Sequence, residues 1–218
     1  MEFESTFTVP KMIIKSAEQY PELVAQFKRL KNGEFEPILY RERIQLGYDF
    51  GAALINLGLK RGDPIGLISD NRAEWQQADI GIMGIGAVDV PRGCDATVID
   101  LEKILSITEC RFVIAENNSQ INKIISIKEK LPCLQNIISF EPESEIKDDV
   151  KKAAKDNKIN LYYYPELLKD GQKWRIENHG VINVDFADVK TTDDFYMQLA
   201  LLGGERLGNA EDTLVFID

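Results

Sequence analysis

From Pro64 onward, short apolar runs alternate regularly with stretches whose apolar residues recur at helical spacing. A continuous apolar run bounded by turn residues is typical of a strand that is buried on both faces of a sheet. The runs begin near Ile65, Ala87, Phe112, Asn136 and Ile159. Because a helical stretch separates each pair of runs, the pattern predicts an α/β fold, a mainly parallel, doubly wound sheet with helices on both faces.

The first helix of this series follows the run at Ile65. Asn71 stands three residues before Glu74, which predicts a capping-box variant at the helix start. The apolar face of this helix is predicted to contain Trp75, Ala78, Ile82 and Ile85. We expect Trp75 to be packed, so that Trp75→Ala would cost about 3–5 kcal/mol. Further helices are predicted over 97–108, 119–130 and 145–156.

The capping signals and inner faces of these later helices can also be predicted. Thr97 and Asp100 form a start signal for the helix over 97–108. The helix over 145–156 is highly charged, and it is predicted to rest on Ile146, Val150 and Ala153. Its charged residues favour a solvated outer face over a docking surface.

The segment before Pro64 predicts a helix, a β-hairpin and a second helix. The first helix, over 9–20, is predicted to turn Met12, Ile13 and Ala17 inward. Alternation over 24–30 and 35–40, around a Lys-Asn-Gly turn, predicts the hairpin. A period near 3.6 predicts the second helix over 41–57.

Beyond Tyr164 the pattern becomes less regular. It predicts helices over 165–177 and 193–206 and a final strand over 214–217. We therefore divide residues 1–218, as one incomplete domain, into three parts: the N-terminal helix, hairpin and helix (1–60), the repeated strand–helix units (61–172), and an irregular helical segment with a last strand (173–218).

The composition restricts the classes of partner. Apolar residues make up 44% of the 218-residue chain and charged residues 28%, with a formal net charge of −10. This charge disfavours nucleic acid and anionic membrane surfaces, although a helix start could still hold a small anion. The longest apolar run, 80–88, is too short for a membrane span. The N-terminus is acidic where a signal peptide would be basic, so we expect a cytoplasmic protein.

Cysteine and histidine usage indicates no metal or disulfide framework. Cys94, Cys110 and Cys133 are odd in number and widely spaced, as in a protein of a reducing compartment. The single histidine, His179, lies in a polar run and is interpreted as a surface residue.

Three further features of the sequence are candidate sites. Gly81, Gly84 and Gly86 have the order G-x-x-G-x-G, the reverse of the dinucleotide fingerprint, and close packing of the helix on the sheet explains them better. Asp70 follows the first strand of the series, where α/β sheets commonly bind ligands, but a helix-start role explains it equally well. The tyrosines over 162–164 favour packing at a strand end over ligand stacking. The residues alone therefore predict no catalytic constellation.

Three stretches together resemble the AMP-forming acyl-CoA synthetases. They are LGLKRGD (57–63), SDNRAEW (69–75) and GIGAVDVP (84–91). Asn71, Arg72, Glu74 and Trp75 resemble the long-chain fatty acid–CoA ligase branch, in which Pro commonly occupies the position of Ala73. The resemblance runs from about residue 8 to 168, with weaker support to 217.

This resemblance implies that the chain is the leading fragment of a ligase. The whole enzyme would use ATP, Mg and CoA to adenylate a fatty acid and form its thioester, and it could lie at a membrane periphery. The family's phosphate loop would begin where this chain ends, at Asp218. The resemblance therefore assigns no catalytic, cofactor-binding or metal residue to this chain, which we expect to be inactive alone.

Two other functions stay open at this point. One is a standalone, non-catalytic α/β binding or assembly module. The other is an unrelated doubly wound enzyme with its site near Asp70 and Arg92. If the strand over 214–217 lacks the cover that the family would provide, we expect self-association that Leu214→Lys and Phe216→Lys would reduce.

Overall fold

The computed structural model describes residues 9–179, with side chains to residue 177. In chain order, the first half contains α1 (Val9–Gln19), β1 (Val24–Arg29), β2 (Phe35–Leu39), α2 (Tyr40–Asn56), β3 (Pro64–Ile68), α3 (Ala73–Gly84) and β4 (Val88–Arg92). The second half contains α4 (Val98–Ile107), β5 (Phe112–Ala115), α5 (Asn118–Ser126), β6 (Asn136–Ser139), α6 (Asp148–Asp156), β7 (Asn160–Tyr163) and α7 (Tyr164–His179).

Strands β3 to β7 form one five-stranded sheet in the order β4-β3-β5-β6-β7. Every neighbouring pair is parallel, with Ile65 opposite both Asp89 of β4 and Phe112 of β5. The predicted parallel sheet, with all five strand positions, is therefore confirmed. Strands β1 and β2 form a separate antiparallel hairpin, as predicted.

Both faces of the sheet are buried, since successive side chains of each strand enter different cores. Ile65 and Leu67 lie in the core shared with α1, α2, α3 and α7. Ile68 and Val113 lie in the core shared with α4, α5 and α6. This division explains why the central strands β3 and β5 are continuously apolar: alternate residues point to opposite faces, and both faces are covered by helices.

The helix α3 packs directly on α2 through glycines. A Cβ on Gly81 would lie 2.7 Å from the carbonyl oxygen of Gly47 and 3.0 Å from the backbone nitrogen of Gly51. The close packing predicted for Gly81 is present, but the prediction of helix on sheet is wrong, because the contact is with helix α2. Gly86 instead has φ of +69°, the left-handed conformation that permits the turn into β4.

Some predicted inner faces are shifted by one residue. Met12 is 44% exposed, whereas Ile14 and Ala17 are buried. In α6 the buried alanine is Ala154 and not Ala153. Each core touches only a narrow stripe of a short helix, and an apolar residue beside that stripe satisfies the periodicity without being buried.

The predicted helix over 193–206 and strand over 214–217 lie outside the described residues, as does the side chain of His179. Between residues 9 and 179, no helix combines the length and apolar character that crossing a bilayer requires. The three cysteines are free thiols, as predicted.

Candidate functional site at the carboxyl edge of the sheet

The loops that follow β3, β4 and β5 meet at one edge of the sheet because the three strands are parallel neighbours. Asp70 and Arg92, the candidates identified from the sequence, both lie at this edge and line one recess with Trp75 and Gly93. Arg92 is exposed, and its Nη1 donates to the carbonyl oxygen of Pro91, 3.0 Å away. The two candidates thus lie near each other at the carboxyl ends of parallel strands, where open α/β sheets commonly bind ligands.

Asp70 also belongs to a cluster with Cys94 and Glu116, whose potential ligand atoms lie within 4.8 Å of one another. The backbone N–H of Cys94 donates to Oδ1 of Asp70 at 2.8 Å. Oε2 of Glu116 accepts from the backbone N–H of Asp70 at 2.8 Å and from the hydroxyl of Ser69 at 3.0 Å. The carboxylates therefore connect the three loops by hydrogen bonds to backbone and side-chain donors.

The thiol of Cys94 is not activated in this cluster. Burial and its hydrogen bond to Glu116, 3.3 Å from Sγ, raise the pKa of Cys94 to about 12. A thiol with so high a pKa stays protonated at neutral pH and is a poor nucleophile. The ammonium of Lys123, in α5, donates to the carbonyl oxygens of Cys94 and Ala96 at 2.7 and 3.1 Å. These bonds connect the loop after β4 to α5.

This cluster does not fit the ATP and Mg of the resemblance. Mg²⁺ requires near-octahedral oxygen coordination, whereas Oε2 of Glu116 already accepts three hydrogen bonds. A triphosphate would also face the carboxylates of Asp70 and Glu116. The arrangement serves to hold the loops of the scaffold together.

A second polar group at this edge is centred on Arg72 and Glu74. Nε of Arg72 lies 2.8 Å from Oε2 of Glu74, and its Nη1 lies 3.2 Å from Oε1 of Glu141. Lys28 of the hairpin lies 2.8 Å from Oε1 of Glu74. Burial opposes ionisation of Glu74, but the hydrogen bonds from Arg72 and Lys28 outweigh it and lower its pKa to about 2.

The predicted capping box at Asn71 and Glu74 is therefore wrong. Arg72 is the N-cap residue of α3 and makes no side-chain cap, and Asn71 is exposed. The carboxylate of Glu74 instead forms ion pairs with Lys28 and Arg72. The analogous prediction at Thr97 and Asp100 is confirmed, since both bonds of that capping box are present.

A cavity of about 1200 Å³ lies beside the Arg72 group, and sequence reasoning did not find it. Its walls come from the hairpin, α2, α3, the loop after β6 and the start of α7. Tyr164 in its wall packs on Phe50 and Phe140, with ring centroids 4.9 and 5.3 Å away. The hydroxyl of Tyr164 donates to Oε1 of Gln77 at 3.0 Å, so the packing interpretation of this tyrosine is confirmed.

Residues 13–191 match the family model described as AMP-binding enzyme. The chain is 29% identical over 167 residues to a chloroplastic long-chain fatty acid–acyl-carrier-protein ligase of Arabidopsis thaliana, covering 77% of this chain and 22% of that protein. It is also 29% identical over 153 residues to fatty acyl-CoA synthetase A of Dictyostelium discoideum, covering 70% and 22%. The chain thus spans about a fifth of the length of these relatives.

Solved structures are similar in fold. The adenylation domain of a carboxylate reductase from Mycobacterium chelonae superposes with a TM-score of 0.66 at 17% identity, covering 78% of this chain and 30% of that domain. At this identity the likeness supports the fold alone.

Proposed function

The chain belongs to the AMP-binding enzyme family, and from this premise we propose that it supplies the leading part of the scaffold of a long-chain fatty acid ligase. The whole enzyme would adenylate a fatty acid with ATP and then form a thioester with CoA. The fatty acid assignment is supported by relatives that are named as long-chain fatty acid ligases. The scaffold assignment is supported by the parallel sheet and by its carboxyl-edge loops.

One observation carries the scaffold proposal: the polar groups at the carboxyl edge bind one another. Glu116 accepts three hydrogen bonds, Cys94 is a protonated donor, and Glu74 is paired with two cations. Adenylation requires groups that align the triphosphate with the carboxylate and stabilise charge at phosphorus. In the whole enzyme, Mg²⁺ would supply positive charge that neutralises the phosphates. We assign neither the alignment of the triphosphate nor the stabilisation of charge to any residue of 9–179. In our proposal, the residues of this chain hold the loops after β3, β4 and β5 in position.

A turnover assay tests whether the chain is inactive alone. The purified 218-residue protein is supplied with ATP, magnesium, palmitate and CoA, and pyrophosphate release and thioester formation are followed. We expect no turnover above a mock purification. Turnover that a substitution within residues 9–179, such as Glu116→Gln, abolishes would contradict the proposal.

A chimera tests the ligase assignment separately. Residues 13–168 replace the matching segment of the Dictyostelium fatty acyl-CoA synthetase, and palmitoyl-CoA formation is measured. We expect the folded chimera to retain activity, and a matched chimera carrying Gly81→Val, which disrupts the contact of α3 with α2, to lose it. A folded chimera without thioester formation would count against a fatty acid ligase scaffold.

A further inference from the structure

The hairpin of β1 and β2 is attached to the rest of the domain at its base. Among the described residues, it pairs with no strand of the five-stranded sheet. At the base, the backbone N–H of Tyr40 donates to the carbonyl oxygen of Leu23 at 3.0 Å, and that of Arg41 donates to Pro21 at 3.3 Å. These bonds fix the base to the start of α2, while the turn around Gly33 lies at the far end.

The hairpin forms one wall of the 1200 Å³ cavity, and Lys28, Lys31 and Ile38 line it from this side. Phe140 and Tyr164 line it from the body of the domain. Access to these rings therefore depends on where the hairpin lies. A displacement of the hairpin about its base would uncover them.

Away from the base, two ion pairs between described residues connect the hairpin to the body. Nζ of Lys28 lies 2.8 Å from Oε1 of Glu74, and Nζ of Lys31 lies 2.5 Å from Oε1 of Glu145. The side chains of Lys28 and Lys31 are 43% and 81% exposed. The Lys31–Glu145 pair is largely exposed, and such a pair is worth only about 0–1 kcal/mol and weakens with salt. Glu74 is only 10% exposed, but it stays paired with Arg72 when Lys28 leaves, so opening this attachment creates no unpaired buried charge.

Neutral contacts add little to this attachment. The amide Nε2 of Gln26 donates to the carbonyl oxygen of Ala73 at 3.3 Å, and Ile38 is the only residue of the hairpin strands that is buried. On the opposite face, Phe27 and Phe35 are 60% and 64% exposed. Packing over the outer face therefore does not hold the hairpin down.

We propose that the hairpin is a strap, latched by the Lys28–Glu74 and Lys31–Glu145 ion pairs, which opens about its base and uncovers the cavity when these pairs are screened or removed. The closed strap narrows access to Phe140 and Tyr164. The open strap keeps its own β1–β2 pairing and its base, since neither depends on the two ion pairs. The opening is local and leaves the five-stranded sheet intact.

Hydrogen exchange at the latched surfaces tests the strap. Peptides covering the loop after β6 and the hairpin are followed in the 218-residue protein by mass spectrometry, with peptides of β5 as an internal reference. Sodium chloride is raised from about 0.02 to about 1 M, which shortens the Debye length to about 3 Å. We expect exchange in the loop after β6, which the closed strap covers, to rise about 3- to 10-fold relative to β5, the effect of losing two modest ion pairs. The paired amides of β1 and β2 should stay protected, because the open strap keeps its own ladder.

Single variants identify the latch. Lys31→Gln removes only the exposed tip pair, and Lys28→Gln leaves Glu74 paired with Arg72, so neither creates an unpaired buried charge. We expect both to raise exchange at low salt and to reduce the response to salt. Lys173→Gln is the matched control, since it removes an exposed pair within α7. The proposal would be overturned if exchange in the loop after β6 changed neither with salt nor in the two variants. It would also be overturned if exchange rose equally in β5.

Discussion

Asp79 of α3 provides a test of how burial and a like charge act on this scaffold. Burial and the nearby carboxylate of Asp89 on β4 raise the pKa of Asp79 to about 7. Burial also raises the pKa of Asp89. At a pH at which both carboxyl groups are ionised, they therefore destabilise the folded state. Asp79→Asn removes one of the two charges with little change in side-chain volume.

The magnitude follows from linkage. The ordinary pKa of Asp79 is 3.8, and its folded-state pKa is about 7. Between these values the folded protein binds more protons than the unfolded chain, so stability falls as pH rises and is lowest, with respect to this group, above pH 7. Each pKa unit corresponds to about 1.4 kcal/mol, so the difference between 3.8 and about 7 corresponds to about 4 kcal/mol at pH 8. Solvent screening at this partly exposed side chain reduces the penalty to roughly 2–4 kcal/mol. Below pH 3.8 both states are protonated and the penalty vanishes.

Urea unfolding of the wild type and Asp79→Asn, at pH 5 and pH 8, measures this penalty. We expect Asp79→Asn to raise the free energy of unfolding by roughly 2–4 kcal/mol at pH 8 and by clearly less at pH 5. Asp156→Asn, at an exposed position of α6, is the control and should show no such pH-dependent gain. An equal effect of Asp79→Asn at both pH values, or a loss of stability at pH 8, would refute the reasoning.

Two further substitutions test packing. Trp75 is only partly buried against the main core. Trp75→Ala should therefore lower the free energy of unfolding by about 1–3 kcal/mol, less than the 3–5 kcal/mol expected for a fully buried aromatic residue. A urea titration showing no loss of stability would contradict this prediction. Gly171→Ala should cost about 3 kcal/mol or more, because its Cβ would meet the carbonyl oxygen of Asp49 in α2. The neighbouring exposed substitution Asp170→Ala should be nearly neutral, and equal effects of the two would exclude a close α2–α7 contact.

The sheet could be predicted from the sequence because burial on both faces leaves a strong signal. A strand such as Phe112–Ala115 must be apolar at every position, since alternate residues enter different cores. Inner faces of short helices were less predictable. Met12 and Ile14 both satisfy the helical period, and only the position of α2 and α3 decides that Ile14 is buried.

The candidate site could be predicted only where a strand end determines it. Asp70 was located at the carboxyl edge because it directly follows an apolar run. Its partners Cys94 and Glu116 lie 24 and 46 positions away, with no local pattern that connects them. Lys28 and Glu74 likewise meet only because the hairpin folds over α3, which the separate periodicities of the two segments do not specify.

The Asn-Arg-Ala-Glu-Trp segment that carries the family resemblance has a structural explanation of its own. Arg72 links Glu74 to Glu141 after β6, and its guanidinium carbon lies 5.3 Å from the centroid of the Phe140 ring. Glu74 in turn binds Lys28 of the hairpin, and a side chain without charge at this position would remove the ion pair that joins the hairpin to α3. A segment can therefore carry the family resemblance while its own side chains join the hairpin, α3 and the β6 loop into one edge.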